Sequence, residues 1–289
     1  MLTDLVAGGL ASGALYGLLA LAIVLIFRVS GVANFAQGEV AMISAFATYQ
    51  FITLKMPLWL AVVGGLAFSA IFGITLFFLI IIPMRGAPPL RATIATLGAQ
   101  IALSATAVKL WAANQPYRFP SFVPLDGVTI HGINISQPHL LILTVTVVLV
   151  VALWIFFHHT KAGLAMRTVS QSQTVARLCG IPVERVLAQT WALSCMTSAM
   201  AGILFAPIVF LSTSMMDPFQ LRAFTAAILG GMQSWPGVVI GGLIFGVMEN
   251  LVSAYLSSQL QPAIAYLTIV LVLLFRPAGL FGRRHLARV

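Results

Sequence analysis

The amino-acid sequence predicts an all-α protein that is embedded in a membrane and crosses it several times. Charged residues make up 7% and hydrophobic residues 60% of the 289 residues, whereas an ordinary soluble domain carries about 25% charged residues. Several apolar runs reach the roughly 20 residues that an α-helix needs to cross a bilayer. The runs are continuous, without the alternation of period two that is typical of membrane β-barrels.

Nine apolar segments are predicted to enter the membrane, within an expected range of eight to ten. The seventh has only about 14 residues, which favours a half-spanning helix over a full crossing. We expect a single transmembrane domain over residues 1–289. The segments are 5–27, 32–53, 58–82, 91–111, 138–157, 187–211, 219–232, 237–256 and 262–275.

The basic residues predict the orientation of the chain. Eleven fall on one side of the predicted membrane and four on the other, so the positive-inside rule makes the first side cytoplasmic, with the N-terminus outside and the C-terminus inside. Because these charges flank the apolar runs, the net charge of +9 does not indicate nucleic-acid binding. The cytoplasmic set is Arg28, Arg85, Arg91, Lys161, Arg167, Arg177, Arg185, Arg276, Arg283, Arg284 and Arg288, and the outer set is Lys55, Lys109, Arg118 and Arg222.

Two hydrophilic segments separate the apolar runs. Residues 112–137 are predicted to lie outside the membrane, where the alternating stretch "VTIHGINI" indicates a small hairpin. Residues 158–186 are predicted to lie in the cytoplasm.

Glycine is concentrated in clusters that have two different interpretations. The clusters at 8–17, 64–73 and 241–246 are typical of closely packed membrane helices. The stretch "GGMQSWPG" (230–237) instead predicts a broken helix, because it holds three glycines and a proline in eight residues. Broken membrane helices are tolerated where protein or a water-filled cavity covers the freed backbone, so this stretch indicates transport.

Glu39 is an acid close to long apolar runs, and two interpretations stay open for it. Asn34 and Gln37 have the spacing of an approximate capping box, which places Glu39 near a helix N-terminus where the macrodipole favours an anion. Alternatively, Asn34, Gln37 and Glu39 form a polar rim at the cytoplasmic mouth of a transport pathway. Arg28 is a candidate counter-charge. Gln233 and Ser234 in the broken stretch are further pathway candidates.

Glu249 lies inside the apolar run 237–256, where a charge costs a few kcal/mol to insert. Arg222 begins the short segment 219–232 from the outside, and the two side chains are predicted to lie at similar depth. A structural ion pair is therefore the favoured interpretation, with a substrate contact as the alternative. Asp217, followed by Pro218, is expected to cap the short helix.

Four blocks of the sequence resemble a known family. They are "SGALYGLLALAIVLIFRVSGVANFAQGEVAMISAF" (12–46), "RTVSQSQTVARLCGIPVERVLAQTWALSCMTSAMAGIL" (167–204), "LRAFTAAILGGMQSWPGVVIGGLIFGVMEN" (221–250) and "LFRPAGLFG" (274–282). In order and spacing they are similar to the LivH-type permease subunits of branched-chain amino acid ABC importers. The similarity covers nearly the whole chain but is weakest over 112–137.

The resemblance implies a bacterial inner-membrane complex with ABC importer architecture. This chain would pair with a LivM-type permease above two cytoplasmic LivG/LivF-type ATPases, and a periplasmic binding protein would deliver the substrate. Because no lysine follows a glycine here, the chain lacks the phosphate-binding loop G-x-x-x-x-G-K-[ST]. ATP and Mg²⁺ are therefore expected on the ATPases, and no enzyme activity, cofactor or metal site is expected on this chain.

The resemblance also implies that the segment 158–186 docks on an ATPase through short helices. Apolar side chains with a charged rim surround a break at Gly180 and Pro182. An amphipathic linker on the membrane surface is the alternative. The predicted coupling residues are Val175, Ala176, Arg177, Leu178, Gly180, Ile181, Pro182, Val183, Glu184 and Arg185.

Other transport functions also stay open. Related permeases of this type serve urea, short amides or aromatic compounds. A secondary transporter working alone would also use broken helices and buried acids, but it usually shows paired internal repeats with an ion site. Glu39 and Glu249 do not lie in repeated sequence contexts.

Overall fold

The computed structural model describes residues 2–84, 86, 88–111, 116–124, 127–130 and 133–282. Arg85, Arg283, Arg284 and Arg288, which the orientation argument uses, lie outside these residues. The described helices are α1 (Leu2–Ser30), α2 (Gln37–Thr53), α3 (Leu58–Leu76), α4 (Pro89–Trp111), α5 (Gln137–His159), α6 (Lys161–Gln171), α7 (Gln173–Leu178), α8 (Val183–Val209), α9 (Asp217–Gly230), α10 (Trp235–Tyr255) and α11 (Gln261–Phe275). A π-helical turn (Phe77–Ile81) and a 3-10 turn (Ile82–Met84) extend α3, and a second 3-10 turn (Ser258–Leu260) precedes α11.

Seven helices in the described part of the chain are long and apolar enough to cross a membrane. They coincide with seven of the nine predicted segments, which confirms the all-α, polytopic membrane fold. The other two segments are the shorter helices α2 and α9. The helix α9 has 14 residues and rises about 21 Å at 1.5 Å per residue, less than the roughly 30 Å of a hydrocarbon core.

The helix α2 begins five residues later than predicted, at Gln37 instead of residue 32. Gly31 has a φ of +74°, which ends α1. The Asn34 side-chain oxygen then accepts a hydrogen bond from the Ala36 backbone N–H at 3.1 Å, so that residues 31–36 form a turn. The N-cap position is occupied by Ala36 and not by Asn34. The predicted capping box is therefore wrong, although Glu39 does lie in the first turn of α2.

The predicted hairpin is present in the segment 112–137. Strands β1 (Gly127–Ile130) and β2 (Ile133–Ser136) pair antiparallel, with Val128 opposite Ile135. Residues 112–115, 125–126 and 131–132 of this segment lie outside the described residues.

The chain divides into two compact units: Met1–Val24, Val123–Thr146 and Pro218–Val289 form one, and Leu25–Phe122 with Val147–Asp217 form the other. In the second unit, α2, α3 and α8 pack closely through glycines. A Cβ atom at Gly202 of α8 would lie 2.4 Å from the Ala41 carbonyl oxygen of α2. At Gly73 of α3 it would lie 2.8 Å from the Trp191 carbonyl oxygen of α8. Only glycine permits this approach of the backbones.

In the first unit, glycines bring α1 and α10 together in the same way. A Cβ atom at Gly246 of α10 would lie 2.4 Å from the Gly13 Cα atom of α1. At Gly242 it would lie 2.7 Å from the Gly13 carbonyl oxygen. The glycine clusters 8–17, 64–73 and 241–246 therefore pack helices, as their sequence predicts.

The predicted break at "GGMQSWPG" lies between α9 and α10. The helix α9 ends at Gly230, Gly231 takes a φ of +100°, and Ser234 caps α10 by accepting a hydrogen bond from the Gly237 N–H. The last carbonyl groups of α9 need partners outside the helix. The segment after α11 supplies two of them: Leu280 N–H donates to Leu229 at 2.8 Å, and Phe281 N–H donates to Gly230 at 3.2 Å.

Candidate functional site

A buried polar cluster surrounds the beginning of α2. The Asn34 side-chain amide donates to the Gln37 side-chain oxygen at 2.6 Å, and both residues are fully buried. The Gln37 amide donates to Ser194 Oγ of α8 at 3.0 Å and also to Ser198 Oγ. These contacts join the start of α2 to the middle of α8.

The helix α4 holds the turn before α2 through Thr96. Its hydroxyl donates to the Ala33 carbonyl oxygen at 3.1 Å and accepts from the Phe35 N–H at 3.2 Å. Thr96, Ser194 and Ser198 were not among the predicted site residues. Ser194 and Ser198 had a detectable signal, because two serines four residues apart in an apolar run lie on one face of the helix.

Glu39 is 3% exposed, so the structure does not place it on an open rim. Within the described part of the chain, its Oε2 atom is buried without a hydrogen-bond partner. Asp217, in the same unit, lies close enough to interact electrostatically with it, and this neighbour carries a charge of the same sign. Arg28, the candidate counter-charge, has an electrostatic neighbour of the same sign, Arg167. Asn34, Gln37 and Glu39 are thus all buried near the start of α2, and the structure joins Asn34 to Gln37 by a hydrogen bond.

Glu249 is 3% exposed but has several partners. Arg222 Nε donates to Glu249 Oε1, and Arg222 Nη2 donates to Gln261 Oε1 at 3.3 Å. The Tyr16 hydroxyl also hydrogen-bonds to Glu249. The Arg222 guanidinium lies 5.9 Å from the centre of the Tyr16 ring and 5.7 Å from that of Phe219. The structure therefore brings the two residues of the predicted ion pair into contact.

The two pathway candidates in the α9–α10 turn differ from the polar cluster. Ser234 uses its hydroxyl as the cap of α10. Gln233 is exposed. Neither is placed in a buried polar site.

The predicted coupling segment forms α6, α7 and the start of α8. The break lies between the six-residue α7 and the 27-residue α8, not between two short helices as expected. Gly180 has a φ of +76°, and the Ile181 N–H donates to the Ala176 carbonyl oxygen at 3.0 Å. These two features form a Schellman motif that ends α7. Arg177 and Glu184 bridge the corner at 3.3 Å.

Exposure divides the predicted coupling residues into two groups. Leu178 is 84% exposed and Val175 is 53% exposed, and Arg185 is also exposed. Ala176 and Val183 are fully buried, so they belong to the core and not to a surface available to a partner. Ile181 and Pro182 complete the corner. We name the surface formed by Val175, Leu178, Ile181 and Arg185 the α7 corner.

No group of three or more His, Cys, Asp or Glu side chains with metal-binding geometry occurs among the described residues.

Comparison with known proteins relates the chain to transport permeases. Residues 5–275 match the family described as "Branched-chain amino acid transport system / permease component". The LivH permease protein of a high-affinity branched-chain amino acid transport system from Escherichia coli K12 is 31% identical over 97% of this chain and 96% of that protein. Its counterpart BraD from Pseudomonas aeruginosa is 29% identical over the same shares.

More distant relatives include a permease protein of an autoinducer 2 import system. LsrD, an autoinducer 2 import system permease protein of Salmonella paratyphi B, is 27% identical over 93% of this chain and 81% of that protein. Among solved structures, PsaBC from Streptococcus pneumoniae in complex with Fab is 15% identical over 94% of this chain and 91% of that chain, with a TM-score of 0.48.

Proposed function

Because the chain belongs to the branched-chain amino acid transport permease family, we propose that it is a membrane-spanning subunit of an ATP-driven importer for branched-chain or other hydrophobic amino acids. The observation that carries this proposal is 31% identity to a LivH permease over nearly the full length of both chains. The seven apolar helices agree with a multi-pass protein of the bacterial inner membrane.

The proposed complex contains further subunits. A LivM-type permease would pair with this chain, two LivG/LivF-type ATPases would bind ATP and Mg²⁺ in the cytoplasm, and a periplasmic binding protein would deliver the substrate. Large apolar side chains such as Ile101, Trp154 and Phe275 are exposed on this isolated chain, and in a membrane such surfaces face lipid or another subunit.

The test is uptake by the reconstituted complex in proteoliposomes. We expect uptake of radiolabelled leucine, isoleucine or valine that requires both ATP and the binding protein. Phenylalanine and urea are tested in parallel, because they represent the alternative substrates. Uptake by this chain alone, driven by an ion gradient without ATPases, would instead identify a secondary transporter.

We propose that the α7 corner docks on an ATPase. Its support is an exposed leucine at the end of a short helix, beside a glycine-dependent turn and a basic side chain. A Leu178→Asp variant removes the apolar contact without a change in the core. A Leu54→Asp variant is the matched control, because Leu54 is 65% exposed but lies on the predicted outer side.

The docking proposal predicts that Leu178→Asp lowers substrate-stimulated ATPase activity at least about tenfold and that Leu54→Asp does not. Equal activity of both variants would contradict it. Gly180→Trp is less informative, because its φ of +76° would strain any other residue whether or not a partner docks.

We also propose the orientation that the basic residues predict, with the α7 corner in the cytoplasm. Cys179 is exposed and Cys195 is buried, so Cys179 serves as a native probe. In cells without the ATPases, an impermeant maleimide should label Cys179 only after permeabilisation. A Ser121→Cys variant in a Cys179→Ser background should be labelled in intact cells. The reverse labelling would overturn the orientation.

A further inference from the structure

We propose that the Glu39 carboxylate accepts the α-ammonium group of the amino-acid substrate as it passes through the permease. The inference rests on the proposed import function and adds to it a contact that selects a protonated amine.

The first support is the unmatched carboxylate oxygen. Buried side-chain oxygens are hydrogen-bonded in the large majority of cases, and each exception needs an explanation. Glu39 is 97% buried in the fold, as its 3% exposure shows, and its Oε2 atom has no hydrogen-bond partner in the described residues. An ionised carboxylate only accepts hydrogen bonds, so the group that would satisfy Oε2 of the ionised Glu39 side chain is a donor.

The second support is the direction of the side chain. Gln37 faces α8, where its amide contacts Ser194 and Ser198. Glu39 follows two residues later, roughly 200° around the helix at 3.6 residues per turn. Glu39 therefore lies on the face of α2 opposite to the α8 contact. The polar cluster that fixes α2 is complete without it.

The surroundings of Glu39 favour a cation with an apolar side chain. Met42 and Ile43, three and four residues further on, share its helix face and are buried. Asp217 adds a second negative charge nearby, and like charges do not neutralise one another. A branched-chain amino acid presents an ammonium group next to a hydrocarbon chain, which matches the carboxylate beside Met42 and Ile43.

Hydrogen bonds fix the start of α2 from two sides. Thr96 of α4 and the serines of α8 hold the turn from two sides. A side chain in the first turn is thus positioned before substrate arrives, which lowers the entropic cost of binding.

The experiment is a thermal-shift titration of the purified complex without its binding protein, run beside the uptake assay. The ligands are leucine, leucinamide, which keeps the ammonium group, and N-acetylleucine, which lacks it. We expect leucine and leucinamide to raise the Tm of the wild-type complex and N-acetylleucine to leave it unchanged. In Glu39→Gln, the apparent affinity for leucine should fall at least about tenfold, the effect of losing one charge-assisted hydrogen bond.

Asp4→Asn is the matched control, because it neutralises an exposed carboxylate near the start of α1; it should bind leucine like the wild type. The proposal is overturned if N-acetylleucine stabilises the complex as well as leucine does, if Glu39→Gln binds leucine normally, or if a complex that imports leucine shows no leucine-dependent shift. If Glu39→Gln fails to assemble, the comparison of ligands on the wild type still tests whether the permease selects an ammonium group. A wild-type complex that imports no amino acid refutes the import function itself, which is a separate result.

Discussion

Glu249 and Glu39 are two equally buried carboxylates with opposite surroundings. The Glu249 carboxylate accepts hydrogen bonds from the Arg222 guanidinium and the Tyr16 hydroxyl. Arg222 also donates a hydrogen bond to the Gln261 side chain. Glu39 has a buried oxygen without a hydrogen-bond partner in the described residues, and the acid Asp217 is a charged neighbour. Both are 3% exposed, so burial alone does not distinguish them.

Because Glu249 has hydrogen-bond partners within the chain and Glu39 Oε2 has none in the described residues, the two acids are expected to have different roles. A carboxylate whose partners are all supplied by the chain connects helices, here α1, α9 and α10 in one unit. A buried carboxylate without them lowers stability, and a bound ligand is one group that can supply the missing hydrogen bond. The contacts of Glu249 agree with a structural role, and the unpartnered oxygen of Glu39 agrees with the binding role proposed for it.

The largest expected effect is that of Glu249→Ala. It would leave the Arg222 guanidinium buried without its counter-charge, and breaking a buried ion pair costs about 3–5 kcal/mol. We expect a loss of most of the assembled complex, measured by size-exclusion chromatography after mild solubilisation. Normal assembly of this variant would show that the pair does not hold the helices together.

The second prediction concerns a double variant that tests whether Glu249 and Arg222 are partners. Arg222→Met combined with Glu249→Met replaces both charges by apolar groups and leaves neither unpaired, and such replacements are often neutral or stabilising. We expect the double variant to recover most of the assembly lost in Glu249→Ala. Recovery would be absent if Glu249 acted in transport instead of in an ion pair.

A smaller effect is expected for Gln37→Leu, which tests whether the polar cluster is structural. The change leaves the Asn34 amide and the Ser198 hydroxyl without a buried partner, at a cost of about 1–3 kcal/mol for each unsatisfied group. The Tm of the complex should fall. Leucine affinity per folded complex should change less than in Glu39→Gln, because Gln37 faces α8. An equal loss of affinity in both variants would place Gln37 in the binding site too.

The smallest effect on stability is expected for Glu39→Gln. Removal of an unpartnered buried charge should leave the Tm unchanged within about 1 kcal/mol of unfolding free energy, or raise it. Thermal unfolding of the detergent-solubilised complex measures this. A large fall in Tm would mean that Glu39 has a structural partner.

The helices could be predicted from the sequence because their signals are local. The break between α9 and α10 follows from Gly231, which takes a positive φ, and from Pro236, which is disfavoured inside a helix but accepted in the first turn of α10. Apolar length alone identified the short α9. The contact between Arg222 and Glu249 was also foreseeable, because few charges in the chain lie at a similar predicted depth.

The remaining features depend on tertiary contacts, and these contacts could not be predicted from a single sequence. Asn34 has the side chain of a helix cap, but its oxygen binds the Ala36 N–H and its amide binds Gln37, so α2 begins later. The closing of α9 by Leu280 joins residues about 50 positions apart in the chain. The burial of Val183 was missed because the start of α8 was predicted at residue 187.

The most direct test of the different roles is one experiment on two matched variants, Glu249→Gln and Glu39→Gln. Each preparation is divided, and one part measures assembled complex while the other measures ATP-driven leucine uptake per assembled complex. We predict that Glu249→Gln reduces assembly while the remaining complex transports leucine. Glu39→Gln should assemble normally and lose about 90% of its uptake at leucine concentrations well below half-saturation, the loss expected there for a contact worth tenfold in affinity. Normal uptake by assembled Glu39→Gln, or loss of uptake per complex only in Glu249→Gln, would contradict the roles proposed for the two acids.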